Sequence, residues 1–133
     1  MMENRKTVAL IIPSDIVARG LESILSEQGE FKVLENLFDC SKSSEARLRC
    51  LAPDVIIIDP SVFDFKSRKD GRAMLAEISD ASVIALEGLT VTDDVVKQYD
   101  GSISLFDSAA MIVKKLHAAI GARQQDPVAE GNE

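Results

Sequence analysis

The sequence predicts an α/β domain on a doubly wound parallel sheet of five strands, with five helices. Apolar runs rich in β-branched residues, such as Val55-Ile56-Ile57-Ile58, alternate with stretches of helical spacing. The runs are continuous rather than alternating, as strands covered on both faces require. Only 5% of residues are aromatic while 46% are hydrophobic, so packing rests on Val, Ile, Leu and Ala. A length of 133 residues suits a single domain.

Val8-Ala9-Leu10-Ile11-Ile12 reads as the first strand, ended by Pro13 and Ser14. Val17, Leu21, Ile24 and Leu25 then recur at i, i+4, i+7 and i+8, which predicts an amphipathic helix from about Asp15 to Gln28. Ser14 or Asp15 supplies its N-cap oxygen, and Asp15 suits a cap better than a metal ligand. Gly29 stands where a left-handed residue ends a helix. Phe31 to Leu34 opens a second strand that reaches as far as Phe38, and Ser41 to Leu51 forms a short helix stopped by Pro53. Val55 to Ile58 is the strongest strand and ends at Asp59-Pro60. A helix from about Asp70 to Ile78 and a fourth strand, Ser82 to Leu86, follow. Thr92 or Asp93 caps a short helix through Tyr99, Ile103 to Leu105 is a brief fifth strand, and a closing helix runs from Ser108 to Ile120.

Parallel strands need crossover helices, and right-handed crossovers leave few topologies. For this count the flavodoxin-like order 2-1-3-4-5 is the expected one. Residues 1–120 form the domain. From Gly121 the sequence GARQQDPVAEGNE loses its periodicity and reads as a polar linker or tail over 121–133.

The formal charge is −7, from 22 acidic and 15 basic residues without a clustered cationic face, which excludes nucleic acid as a partner of this domain itself. No stretch approaches the ~20 apolar residues of a membrane span, and the N-terminus is no signal peptide; a cytoplasmic protein is expected. Two cysteines, Cys40 and Cys50, and one histidine, His117, fall short of a zinc site, so reduced thiols with packing or edge roles are expected. His117 is expected at the surface or its boundary, far from every strand end.

In open parallel sheets, chemistry gathers outside the carboxyl ends of the strands, where the strand order reverses. Here that region holds Ile12, Pro13, Ser14 and Asp15, then Asp59 and Pro60, then Glu87 and Gly88, then Leu105, Phe106 and Asp107. The first turn argues against a flavodoxin-type cofactor binder, because Pro13 removes a backbone donor and Asp15 repels an anion. No Gly-x-Ser-x-Gly elbow marks a hydrolase, and no enzymatic activity is expected.

Ile16-Val17-Ala18-Arg19-Gly20-Leu21, the string Pro53-Asp54-Val55-Ile56-Ile57-Ile58-Asp59 and the later Asp70-Gly71 resemble the receiver domains of response regulators. The likeness is greatest to receivers joined to LuxR-type transcription factors and covers roughly residues 6–120. The resemblance implies that Asp59 matches the family's phospho-acceptor. It also implies departures. The acidic pair that holds Mg²⁺ in the family falls on Ile12 and Pro13, its Ser or Thr after the fourth strand on Glu87, and its Lys after the fifth strand on Phe106. The proline that follows the acceptor falls on Phe63, and the loop to Asp70-Gly71 is longer than usual.

Phosphoryl transfer to a carboxylate needs a metal and cationic side chains to neutralise the equatorial oxygens. Asp59 beside Glu87 and Asp15 offers the opposite, and a phosphoryl group adds about two negative charges. The expectation is therefore a receiver-like regulatory domain that acts through protein contacts, with weak or no phosphorylation and no cofactor. The resemblance implies pairing through the fourth helix, fifth strand and last helix, a homodimer through the last helix region, a sensor kinase and an attached DNA-binding output domain. Two alternatives stand beside it. In one, Asp59 is a working acceptor, with Mg²⁺ and with Asp15 or Lys66, Arg68 and Lys69 replacing the missing groups. In the other, the chain is a flavodoxin-like cofactor binder. Simpler readings make Asp59 a strand-ending cap, Glu87 a solvated loop residue and Phe106 a core residue, with an exposed partner anchor as the alternative for Phe106.

Overall fold

The structure, a computed structural model, describes residues 5–63, 70–88 and 91–131, with side chains as far as residue 121. Five strands, β1 (Lys6–Ile11), β2 (Phe31–Asn36), β3 (Val55–Ile58), β4 (Ser82–Leu86) and β5 (Gly101–Ile103), form one parallel sheet in the order β2-β1-β3-β4-β5. Five helices alternate with them: α1 (Asp15–Gln28), α2 (Lys42–Leu51), α3 (Gly71–Ile78), α4 (Asp93–Val96) and α5 (Ala109–Gly131). This is the doubly wound architecture and the strand order that the sequence predicts.

Successive residues of a strand point to opposite faces, and the core divides accordingly. Val8, Leu10 and Ile12 join Val55 and Ile57 on the face covered by Ala18, Leu21 and Leu25 of α1 and Ile112, Leu116 and Ile120 of α5. Ala9 and Ile11 join Ile56 and Ile58 on the other face, under Leu48 of α2, Leu75 of α3 and Val95 of α4. All four residues of β3 are fully buried, which explains why its run is unbroken by polar residues.

Several boundaries differ from the sequence expectations. β1 begins at Lys6 because the Thr7 amide donates to the Asp54 carboxylate at 2.8 Å and the Asp54 amide donates back to the Thr7 carbonyl at 3.0 Å. β5 lies over Gly101–Ile103 rather than Ile103–Leu105, since the chain turns at Ser104. α4 stops at Val96, short of Tyr99, and Thr92 makes no side-chain cap bond. α5 continues past Ile120 to Gly131; residues 122–125 (Ala-Arg-Gln-Gln) favour helix by propensity although they carry no apolar stripe.

Candidate functional site

Parallel strands deliver all their carboxyl ends to one side of the domain, and the order reverses between β1 and β3. Asp59 stands there, directly after β3 and half-buried. Its amide donates to the Ile11 carbonyl at 3.0 Å, which ties it to the end of β1. Its Oδ1 accepts from the Ser61 amide at 2.9 Å and so caps the single 3-10 turn Pro60–Val62. The carboxylate the resemblance points to is thus held by local backbone.

At the end of β1, Ile12 is fully buried in the core. Its backbone is closed by Asn36, the last residue of β2. The Ile12 amide donates to Asn36 Oδ1 and Asn36 Nδ2 donates to the Ile12 carbonyl, both at 3.1 Å. Pro13 is exposed. Asp15 is not the helix cap favoured for it. Ser14 fills that position, its Oγ accepting from the Val17 amide at 3.3 Å, because only the residue before the first helical turn has the extended backbone a cap needs. Asp15 instead pairs with Arg19 Nε one turn on, at 2.7 Å, with both side chains well exposed.

Glu87 follows β4 and is exposed, but its charge is not loose in solvent. Oε2 accepts from Ser102 Oγ at 2.8 Å, and its amide donates to the Ile103 carbonyl at 2.8 Å, so it bridges β4 to β5. Phe106 corrects the expectation of a core residue: it is 98% exposed. The cause is the turn after β5. Ser104 and Asp107 close it from both sides, with the Asp107 amide on the Ser104 carbonyl at 3.1 Å and the Ser104 amide on Asp107 Oδ2 at 2.9 Å. The Phe106 amide donates to Ser104 Oγ at 3.1 Å, and Lys115 Nζ of α5 donates to Asp107 Oδ2 at 2.8 Å. Those bonds leave Leu105 and Phe106 at the tip, facing water. Lys115 and the Ser104 amide hold the Asp107 carboxyl below the usual carboxylate range.

Phe63, standing where the resemblance expects a proline, is buried against the start of α3. A Cβ added at Gly71 would lie 2.2 Å from its ring. Lys66, Arg68 and Lys69 lie outside the described residues. Hard cations take oxygen ligands. Ile12 and Pro13 have none in their side chains, the Ile12 carbonyl already accepts from Asn36, and Asp15 is turned to Arg19. Among the described residues no group of three His, Cys, Asp or Glu could hold a metal ion. The described residues do not fit the Mg²⁺ cage that the resemblance would supply.

Further side chains extend the sequence reading. His117 is half-exposed, as expected, and lies at the amino edge of the sheet: its ring packs on Phe31, the first residue of β2, at 5.1 Å between centroids, and Nε2 lies 2.5 Å from Glu30 Oε1. Cys40 and Cys50 are free thiols. Burial, together with Asp39 and Glu45, pushes the Cys40 thiol up to about 12. Asn36 and Ser102 organise the strand ends and were not foreseen. Their partners lie 24 and 15 residues away, beyond the reach of local periodicity.

No protein-family model and no curated protein sequence matches this chain. Solved structures do match. The receiver domain of a modulated diguanylate cyclase from Desulfovibrio desulfuricans superposes with a TM-score of 0.74 at 16% identity, over 92% of this chain and 98% of that one. The receiver domain of the response regulator NarL from Mycobacterium tuberculosis gives 0.69 at 15%, over 89% and 98%. A LuxR-family DNA-binding response regulator from Staphylococcus aureus gives 0.66 at 11%, over 86% and 98%. The chain has the receiver fold. In this receiver-fold domain Asp59 follows β3, while Ile12, Pro13, Glu87 and Phe106 stand at the neighbouring strand ends. No helix among the described residues is long and apolar enough to cross a membrane.

Proposed function

We propose that this chain is a receiver-like regulatory domain of a two-component response regulator, signalling through protein contacts with weak or no phosphorylation of Asp59. The observation that carries the reading is the end of β1. Ile12 is buried, and both of its backbone groups are taken by Asn36. A phosphorylated carboxylate needs oxygen ligands for a cation at that point, and a cation to offset the added charge. Glu87, bound to Ser102, adds a negative charge after β4 instead.

The domain performs no turnover and works in the cytoplasm. It passes its state to an attached output domain, DNA-binding by analogy with the LuxR-type relatives of the fold, through the face made by α4, β5 and α5. That face also serves pairing between copies, and a sensor kinase is the upstream partner. The supports are the receiver fold and the net charge of −7.

The test is incubation of the protein with Mg²⁺ and a small-molecule phosphodonor, followed by intact-mass measurement. The expected result is an unmodified chain. A phosphoryl adduct that forms on the wild type and disappears in Asp59→Asn would overturn the reading and make Asp59 a working acceptor.

A further inference from the structure

A cavity of about 340 Å³ opens between the last turns of α2 and α3, at the opposite end of the sheet from Asp59. Both helices run back from the carboxyl ends of the strands, so both finish where the neighbouring strands β3 and β4 begin. Leu48 and Pro53, both buried, and the partly buried Ile78 make its floor apolar. Arg49 and Asp80 stand exposed at its mouth, one from each helix end. Its volume falls at the small end of the range usual for ligand sites, about 300–1,000 Å³.

The two connections that frame the cavity are fixed. The Ala52 amide donates to the Leu48 carbonyl at 2.9 Å, and Ala52 lines the cavity with φ 45°, where glycine is the usual choice. Ser79 Oγ accepts from the Ala81 amide at 3.1 Å, and the Ser82 amide donates to the Asp54 carbonyl at 3.1 Å, which ties one connection to the other. A frame that is rigid before binding loses little entropy when a ligand enters. The charges at the mouth, by contrast, are unengaged. Arg19, Arg47 and Arg72 each pair with a carboxylate. Among the described residues, neither the Arg49 guanidinium nor the Asp80 carboxylate has a hydrogen bond or ion pair.

We propose that this cavity binds a small zwitterion with an apolar body, of the class of the branched-chain and aromatic α-amino acids. The apolar part lies on Leu48, Pro53 and Ile78, while Arg49 takes the carboxylate and Asp80 the ammonium group. The free carbonyls in the last turns of α2 and α3 add partial negative charge at the same end, which favours the ammonium beside Asp80. A ligand of single charge meets its own sign at one of the two side chains, and a purely apolar one leaves both without a partner. Occupancy joins the end of α2 to the end of α3, two helices that cover the same face of the sheet. The inference goes beyond the proposed function, since it uses no residue near Asp59 and needs neither phosphorylation nor an output domain.

The experiment is an NMR titration of the isotope-labelled chain with L-phenylalanine and with L-leucine, to about 10 mM of each. Saturable shifts are expected at the amides of Arg49, Ala52, Ser79 and Asp80, with those of Asp59 and Phe106 unmoved. Arg49→Gln and Asp80→Asn each weaken binding by about fivefold or more. Hydrocinnamate, which lacks the ammonium group of phenylalanine, and phenethylamine, which lacks its carboxylate, bind more weakly by a similar factor. Both substituted side chains are exposed, so thermal melts of the two variants match the wild type and separate lost binding from lost folding. No saturable shift with either amino acid overturns the proposal, as does binding that neither substitution weakens. Equal binding of hydrocinnamate overturns it by making the cavity a simple anion site, and equal binding of phenethylamine by making it a cation site. A phosphoryl adduct on Asp59 leaves these outcomes unchanged.

Discussion

The carboxamide of Asn36 pairs with both backbone groups of Ile12, accepting from its amide and donating to its carbonyl at 3.1 Å each. One side chain therefore does what the next residue of a strand would do, and it extends the β1–β2 ladder past the last strand residue. Asn36 Oδ1 also receives the Phe38 amide. Asn36→Ala strips three backbone groups of their partner at a part-buried point and should destabilise the domain by about 2 kcal/mol. Asn36→Asp keeps the acceptor and loses the donor, and should fall between. Urea denaturation of the two variants measures both values.

Phe106→Ser should leave stability within about 0.5 kcal/mol of wild type, because the ring is 98% exposed and its backbone bonds do not depend on it. A buried phenylalanine cut back this far would cost about 3–5 kcal/mol. A midpoint shift of the larger size in chemical denaturation would return Phe106 to the core.

Gly71→Ala should destabilise despite the better helix propensity of alanine. The added carbon meets the ring of Phe63 at 2.2 Å, and that ring is buried. Overpacking of this kind costs about 1–3 kcal/mol, more than the ~1 kcal/mol of propensity gained. Combining it with Phe63→Leu should recover part of the loss. A thermal melt of the single and double variants decides whether the two positions are coupled.

The Asp107 carboxyl titrates below 3.8 because Lys115 and the Ser104 amide bond its charged form. A carboxyl lowered on folding contributes stability at pH above its unfolded value and loses it as pH falls through its folded value. Acidification into that range should therefore loosen the β5–α5 turn. Lys115→Met should move the carboxyl back up toward 3.8, and carbon-detected NMR titration of the side chain reads the shift directly.

Cys40 and Cys50 should differ sharply toward alkylation. Burial lifts the Cys40 thiol to about 12, so at pH 8 almost none is thiolate, whereas Cys50 is exposed. Iodoacetamide at that pH should label Cys50 first, and peptide mass mapping gives the order. Earlier labelling of Cys40 would mean that the α2 face opens in solution.

Much of the fold was legible because its signals are local. Val55–Ile58 announces a strand buried on both faces, and Ser14 and Gly29 bracket α1 as a cap and a left-handed terminator do. β5 was misplaced for an equally physical reason. Leu105 and Phe106 look like strand residues, but the Ser-x-x-Asp spacing of Ser104 and Asp107 closes a turn around them, and two residue types settle what hydrophobicity alone does not. Within the site, the strand-end position of Asp59 could be read from the sequence, as could the oxygen-free character of Ile12 and Pro13. The roles of Asn36, Ser102 and Lys115 could not, since each acts on a segment brought close only by the finished sheet.

The bond from Lys115 to Asp107 joins the aromatic tip to the rod of α5, which runs on for sixteen further residues to Gly131. The clasp thus fastens the turn after β5 to the second turn of α5, so the tip keeps its orientation relative to the axis of that helix.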